Sequence, residues 1–168
     1  MTASLARLLR QSISNEDEVV PLAREVEYAK GYLTIQKMRY KDKLEFEIDV
    51  EPSILNIPLI KLVLQPIIEN AIYHGLKYKE SKGLLQVKGF MKDGNAVLQV
   101  IDNGVGMDEE TLSHIYDKHK VNYHSNGVGV YNVQKRLKLY YGENYGITYE
   151  SEKGVGTTAT ITIPGIQE

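Results

Sequence analysis

The chain contains no cysteine and no tryptophan, and only 2 of its 168 residues are phenylalanine. The absence of cysteine excludes disulfide bonds, thiolate catalysis and cysteine-ligated metal sites. The formal net charge is -2, so the basic excess typical of proteins that bind nucleic acids or membrane surfaces is missing. No apolar run approaches the roughly 18 residues that span a bilayer. We therefore expect a soluble, intracellular chain.

The overall composition is that of a folded globular domain. Hydrophobic residues make up 42% of the chain and charged residues 25%, which argues against disorder. A length of 168 residues suits one domain, or one domain with a short appendage.

Helical periodicity dominates the first part of the sequence. Apolar residues recur at helical spacing over 2–13 and again over 21–40, which predicts an antiparallel pair of helices. Strict alternation over 44–50 then predicts a strand. The segment 59–75 predicts a further helix, and Gly75 suits a cap at its C-terminal end.

The remaining strands are predicted in hairpins. Strands over 84–91 and 96–101 are joined by Asp93-Gly94-Asn95, which is a strong hairpin signal. A short helix over 107–116, a helix over 130–141 and a last pair of strands, 147–151 and 157–163, follow. Because strands come in pairs rather than alternating singly with helices, the order favours an α+β fold with helices on one face of a mostly antiparallel sheet.

Four polar or glycine-rich segments interrupt this framework. They are QPIIENA (65–71) in an apolar helix, DNGVG (102–106) after a strand, NGVG (126–129) at a helix start and GVGTT (154–158) before the last strand. A buried carboxylate or amide in the first segment needs a partner. Glycines at a helix start allow a phosphate to approach backbone N–H groups.

Each segment alone also has a plain structural explanation. Glu69 and Asn70 are equally compatible with the solvent-facing side of their helix, and Asp102 with an ordinary turn. The 126–129 segment matches neither a Walker loop nor a Rossmann fingerprint. The 154–158 segment suits a hairpin turn.

Taken together, the order and spacing of the four segments resemble the N, G1, G2 and G3 boxes of the GHKL (Bergerat) ATP-binding fold, over roughly 44–164. Within that superfamily, LQPIIENAIYHGL (64–76) and GVGVYNVQKRLKLYYG (127–142) resemble the LytS/YesM-type sensor histidine kinases. The resemblance implies a two-layer α/β sandwich with a mixed, mostly antiparallel sheet and helices on one face, preceded by N-terminal helices.

The resemblance also implies a site for ATP and Mg²⁺. Asn70 would bind the Mg²⁺ that bridges the phosphates, with Glu69 and His74 beside them as candidate catalytic residues. Asp102 would accept a hydrogen bond from the adenine amino group, and Thr157 would help it to hold adenine. The other implied nucleotide-binding positions are glycines that lie near the nucleotide: Gly104, Gly106, Gly127 and Gly129.

Two further features follow from the same resemblance. Residues 107–126 would form an ATP lid, which we expect to be loose without nucleotide because it has few apolar side chains to bury. Tyr73 stands where many histidine kinases have a lysine, which leaves Lys77 and Lys79 as alternative sources of positive charge.

The phosphoacceptor motif of this family, HFLxN, does not occur in the sequence. We therefore expect a fragment of a longer parent. The segment upstream of residue 41 also resembles the end of this family's dimerisation region, which implies that 1–41 is a helical remnant of the dimerisation and phosphoacceptor region and 42–168 the ATP-binding catalytic domain. The histidines of the chain are His74, His114, His119 and His124.

The expected function is that of a protein histidine kinase fragment. It would pass the γ-phosphate of Mg–ATP to an upstream histidine, for relay to a response regulator, without autophosphorylating alone. The parent would be a homodimer and membrane-anchored, with this domain in the cytoplasm and no nucleic-acid partner. Two alternatives remain, a GHKL-type anti-sigma Ser/Thr kinase and a nucleotide-sensing module without phosphotransfer.

Overall fold

A computed structural model of the chain describes residues 19–116 and 127–165. The helix predicted over 2–13 and the part of the predicted lid over 117–126 lie outside the described residues. In the ranges that are described, no helix is both long and apolar enough to cross a bilayer.

The described residues form seven strands and four α-helices. The strands are β1 (Val19–Pro21), β2 (Leu44–Val50), β3 (Pro58–Ile60), β4 (Gly83–Lys92), β5 (Asn95–Asp102), β6 (Gly146–Glu152) and β7 (Gly156–Pro164). The helices are α1 (Leu22–Tyr40), α2 (Leu64–Asn70), α3 (Glu109–Ser113) and α4 (Gly127–Tyr141). A π-helical turn (Ala71–Leu76) directly continues α2.

Five of the strands form one sheet in the order β2-β4-β5-β7-β6. β2 pairs with β4 in parallel, and the other neighbours pair antiparallel. The predicted hairpin turn between β4 and β5 is present, with positive φ at Asp93 and Gly94. The prediction of an α+β fold with a mixed, mostly antiparallel sheet is thus confirmed.

The helices cover one face of the sheet. Alternate residues of the central strands point into the helical layer, because successive side chains of a strand point to opposite faces. The buried core includes side chains from both layers, among them Leu33, Ile67, Leu85, Val87, Leu98, Val100, Leu137 and Ile161. This two-layer packing brings the ends of β5 and β7 close to α2.

The helix predicted from residue 59 begins later than expected. Pro58–Ile60 is instead strand β3, which pairs antiparallel with β1 in a separate two-stranded sheet. Leu62 has a φ of 57°, in the left-handed region, so the chain cannot pass through it as a right-handed helix. The apolar periodicity that predicted a helix here does not distinguish a short buried strand from a helical turn.

Two other helix boundaries also differ from prediction. Gly75 is not a C-terminal cap, since it lies inside the π-helical turn. The helix predicted over 107–116 is confined to α3, which begins where Asp108 Oδ1 accepts a hydrogen bond from the Thr111 N–H at 2.7 Å.

Candidate functional site

Asp102 and Thr157 are direct partners across the sheet. Asp102 is the last residue of β5, and the antiparallel register places it opposite Thr157 near the start of β7. Strand pairing therefore brings together the second and fourth of the glycine-rich segments, which are far apart in sequence.

Asp102 is a buried carboxylate, with 6% of its surface exposed. Its Oδ1 accepts a hydrogen bond from the Gly104 N–H at 2.9 Å. Burial raises the pKa of Asp102 to about 6, although backbone N–H groups of Gly104 and Thr157 and the charge of Lys79 lower it. A carboxylate held in this way costs folding free energy, which marks it as a functional candidate.

Gly75 allows the π-helical turn to approach Asp102. A Cβ atom at this position would lie 2.7 Å from Asp102 Oδ1, closer than two such atoms can come. The Gly75 carbonyl also accepts a hydrogen bond from the Val105 N–H at 3.0 Å. The glycine therefore allows close packing between the π-helical turn and the second segment, which explains its place in that turn.

A cavity of about 40 Å³ lies where α2, its π-helical turn and the strand ends meet. Among the residues that line it are five that the sequence predicted for the site: Asn70, His74, Asp102, Gly106 and Thr157. The fold thus gathers predicted residues from the first, second and fourth segments around one space.

Tyr149 is a lining residue that the sequence analysis missed. Its hydroxyl is buried and has no hydrogen-bond partner among the described residues. Burial raises the pKa of this phenol, whereas a contact with the Asn70 side chain, which falls outside hydrogen-bond geometry, lowers it. The alternation of β6 could have indicated that Tyr149 is partly buried, but no sequence signal placed it beside Asn70.

The two predicted catalytic residues are placed differently. His74 lines the cavity, and burial, with a smaller effect from Lys77, lowers its pKa, so the imidazole is neutral at pH 7. Glu69 is not among the described residues that line the cavity. Its Oε1 accepts a hydrogen bond from Gln65 Nε2 at 3.1 Å. Burial, with a smaller effect from the charge of Glu69, raises the pKa of Tyr32 in α1 to about 12.

The predicted glycines lie at close approaches of the chain. A Cβ at Gly104 would lie 2.3 Å from the Gly75 carbonyl group. Gly106 has a φ of 68°, and its missing Cβ leaves room for the Glu152 carbonyl oxygen. Gly127 begins α4, and the Gly129 Cβ position lies 3.5 Å from Pro66 Cβ. The third segment is therefore adjacent to the first.

Ser151 connects the predicted lid to β7, and the sequence analysis missed it as well. Its Oγ accepts a hydrogen bond from the Met107 N–H at 2.8 Å and lies 2.7 Å from Thr157 Oγ1. Met107, the first residue of the predicted lid, lines the cavity. No motif marks Ser151 in the sequence, because its role depends on the strand register.

Neither alternative lysine lines the cavity in the described part of the chain. The Lys77 Nζ lies 4.4 Å from the centre of the Tyr73 ring. Lys79 donates from Nζ to the Asn103 carbonyl oxygen at 2.7 Å, on the segment that follows Asp102. Lys79 is therefore the lysine closer to the buried carboxylate.

Residues 56–167 match the family of histidine kinase-, DNA gyrase B- and HSP90-like ATPases. The chain belongs to this ATPase family. Residues 1–44 match a second family, described as histidine kinase.

This ATPase domain has named relatives among the sensor histidine kinases. The whole chain is 33% identical over 164 residues to the sensor histidine kinase YesM of Bacillus subtilis, and the match covers 98% of this chain and 27% of YesM. It is 34% identical over 143 residues to the sensor protein LytS of Oceanobacillus iheyensis, covering 83% of this chain and 24% of LytS. The chain therefore spans about a quarter of the length of either relative, and the resemblance to LytS/YesM-type kinases is confirmed.

A solved structure shows the same fold. The catalytic domain of the histidine kinase ThkA aligns with a TM-score of 0.64 at 14% identity, covering 88% of this chain and 98% of that domain. The expected two-layer α/β sandwich is thus confirmed for this ATPase domain.

The donor atoms of the site are consistent with a metal ion that arrives with phosphate. Among the described residues, no group of three or more His, Asp and Glu side chains could hold a metal ion by itself. Mg²⁺ prefers oxygen ligands and keeps several waters, so one amide oxygen with phosphate oxygens suffices. The Asn70 side chain at the cavity fits that chemistry.

Proposed function

We propose that this chain is the ATP-binding catalytic part of a sensor histidine kinase. In this proposal, residues 42–168 bind Mg–ATP, and the γ-phosphate passes to a histidine of the parent protein outside this sequence. Residues 1–41 are the end of the dimerisation and phosphoacceptor region. Membership of the ATPase family and the sensor kinase relatives support this assignment.

The buried Asp102 is the observation that carries the proposal. A carboxylate accepts a hydrogen bond from the amino group of adenine, whereas guanine presents a carbonyl oxygen at the corresponding position. Thr157, which lies opposite Asp102 in the sheet, would assist. The missing Cβ atoms of Gly75 and Gly106 leave room for Asp102 and for the Glu152 carbonyl group, respectively. Selection of adenine by Asp102 would give a functional reason for the folding free energy that burial of this carboxylate costs.

Asn70 would be the protein ligand of Mg²⁺, and the ion would neutralise charge on the phosphates. The Tyr149 hydroxyl, buried beside Asn70 without a partner among the described residues, would gain one from a bound group or water. His74, neutral at pH 7, would offer a hydrogen bond rather than a charge near the phosphates. Glu69 is given no role at the cavity in this proposal, because it is not among the described residues that line it.

The cavity must widen for this function. A volume of about 40 Å³ holds a few waters and is too small for a nucleotide. Met107 lies at its border, held by Ser151, so nucleotide entry would displace the start of the lid.

The parent, in this proposal, is a membrane-anchored homodimer that relays phosphate to a response regulator from the cytoplasmic side.

The proposal is tested by titrating ATP into the chain with Mg²⁺ present, for the wild type and for Asp102→Asn. A hydrogen bond to a charged acceptor contributes about 1.5–3 kcal/mol, so we expect Asp102→Asn to weaken ATP binding by roughly ten- to a hundredfold. Asp49→Asn, an exposed site in β2, is the matched control and should bind as the wild type does.

Equal ATP affinity in wild type and a folded Asp102→Asn variant would contradict the proposal. Asp102 would then be a turn residue only. Phosphohistidine formed by the isolated chain would contradict the assignment of the acceptor to another part of the parent.

A further inference from the structure

The first turn of α2 has no capping side chain of its own. The residue that precedes the helix is Val63, whose side chain can accept no hydrogen bond. The first N–H groups of a helix have no partner within it, and leaving them buried and unsatisfied is unfavourable. The partner for these groups therefore comes from elsewhere in the chain.

Glu25 of α1 supplies that partner. Its Oε1 accepts a hydrogen bond from the Leu62 N–H at 2.9 Å. Its Oε2 accepts from the N–H groups of Val63 and Leu64 at 3.2 and 3.1 Å. Only 5% of Glu25 is exposed, and the positive end of the helix dipole favours its charge.

The turn that Glu25 holds is conformationally constrained. Leu62 has a φ of 57°, a backbone conformation that is unfavourable for a branched side chain and persists only when its surroundings impose it. Arg136 of α4 donates from Nη2 to the Lys61 carbonyl at 2.5 Å and from Nη1 to the Leu62 carbonyl at 3.4 Å. Helix α1 thus binds the N–H groups of the turn over 61–63, and helix α4 binds its carbonyl groups.

This turn lies one short helix away from the cavity. Leu64 and Asn70 are the two ends of α2, about 9 Å apart at 1.5 Å per residue. A rigid element this short transmits a displacement of its first turn to its last residue. The position of Asn70 at the cavity therefore depends on how the turn over 61–63 is held.

Glu25 also joins the two parts of the chain that match different families. It lies within the residues 1–44 that match the histidine kinase family, whereas the turn lies within the residues 56–167 that match the ATPase family. We propose that Glu25 is a positioning residue, through which helix α1 sets the place of Asn70 and hence the binding of the Mg²⁺-bound phosphates. This inference rests on the proposed function.

The test compares ATP affinity in Mg²⁺ with ATP affinity in EDTA. Glu25→Gln keeps the size of the side chain but loses the charge and one acceptor oxygen. We expect it to reduce the gain in affinity that Mg²⁺ provides by about tenfold, while ATP affinity in EDTA and adenosine affinity change less than twofold. Glu27→Gln, an exposed site on the same helix, is the matched control and should keep the full gain.

A purely structural role for Glu25 predicts a different result. Glu25→Gln would then weaken ATP in Mg²⁺, ATP in EDTA and adenosine alike, or change none of them, and either outcome overturns the inference. If Glu25→Gln does not fold by circular dichroism, Glu25→Asp, which draws the carboxylate back by one methylene group, is judged by the same comparison.

The failure of the proposed function gives a separate result. Wild-type protein that binds no ATP, or binds it equally well in Mg²⁺ and EDTA, contradicts the proposed function and removes this inference with it. A normal wild type with an unchanged Mg²⁺ gain in Glu25→Gln contradicts the inference alone.

Discussion

Asp102 and Glu25 are the two charged side chains that are buried in the described residues, and their surroundings differ. Glu25 accepts three backbone hydrogen bonds at the start of a helix. Asp102 accepts its hydrogen bonds from Gly104 and Thr157 beside the cavity, and burial nevertheless raises its pKa to about 6. We interpret the first carboxylate as one that positions the start of α2, and the second as a site that costs stability.

That interpretation predicts a pH-dependent stability. A raised pKa means that folded protein binds more protons at Asp102 than unfolded protein between about pH 4 and pH 6, so stability falls as pH rises through this window. The rise from 3.8 to about 6 corresponds to about 3 kcal/mol. Because the Asp102→Asn side chain does not titrate, its unfolding free energy relative to wild type should increase by about 2–3 kcal/mol from pH 4 to pH 8.

Urea unfolding at the two pH values measures this difference. Asp49→Asn, the exposed control, should run parallel to wild type at both. A constant difference between Asp102→Asn and wild type would mean that the carboxylate of Asp102 is not destabilised by burial.

At the scale of elements, the site depends on the contact between the π-helical turn and the end of β5. Gly75 allows that contact, since a Cβ atom there would meet Asp102. Gly31, in α1, offers a comparison because nothing lies within 4 Å of its Cβ position. The two helical glycines therefore have different reasons for being glycine.

Alanine at these two positions should change stability in opposite directions. Gly31→Ala should stabilise the protein by about 0.5–1 kcal/mol, because alanine is the better helix former. Gly75→Ala should destabilise it by about 1–3 kcal/mol through overpacking and weaken ATP binding by displacing Asp102. Chemical denaturation measures the stability of both variants, and ATP titration measures the loss of affinity in Gly75→Ala. A Gly75→Ala protein as stable as Gly31→Ala would contradict the close contact between Gly75 and Asp102.

The hydrogen bond between Ser151 and Met107 gives a second prediction at this scale. Ser151→Ala removes the acceptor of the Met107 N–H, a loss of about 1 kcal/mol locally. We expect the Met107 amide to exchange with solvent roughly five- to tenfold faster. Ser53→Ala, at an exposed hydroxyl far from the site in sequence, is the control, and equal Met107 exchange in both variants would show that Ser151 does not hold this segment.

Much of the fold could be predicted from sequence because its signals are local. The hairpin turn at Asp93-Gly94, the alternation of β4 and β5 and the order of the four segments all lie within short stretches of chain. The β1–β3 pair and the late start of α2 could not be predicted, since both depend on partners distant in sequence. Leu62 takes up a left-handed conformation, and Glu25 and Arg136, at 37 and 74 residues away, form hydrogen bonds with its backbone.

The candidate site shows the same division. The resemblance of the four segments to the ATP-binding boxes implied Asn70, Asp102 and Thr157, and all three line one cavity. Tyr149 and Ser151 were missed, because strand register alone brings them to the cavity and to Met107. That Glu69 does not line the cavity, whereas its neighbour Asn70 does, likewise depends on how the helix packs.

At the scale of the whole molecule, the two-layer fold places the buried carboxylate of Asp102 where the sheet and the helices meet. Nucleotide bound there should stabilise the entire domain, by about 2.7 kcal/mol at a concentration a hundred times the dissociation constant. The central claim is that Asp102 makes this site selective for adenine.

Calorimetric titration of the wild-type chain with Mg–ATP and with Mg–GTP at pH 8 tests this claim most directly. At that pH Asp102 is ionised and can only accept a hydrogen bond, so the carbonyl oxygen of guanine should be disfavoured. We predict that ATP binds at least tenfold more tightly than GTP, because the mismatch leaves a buried acceptor unpaired at a cost of about 1–3 kcal/mol. Equal affinity for ATP and GTP, or binding of neither, would contradict the account.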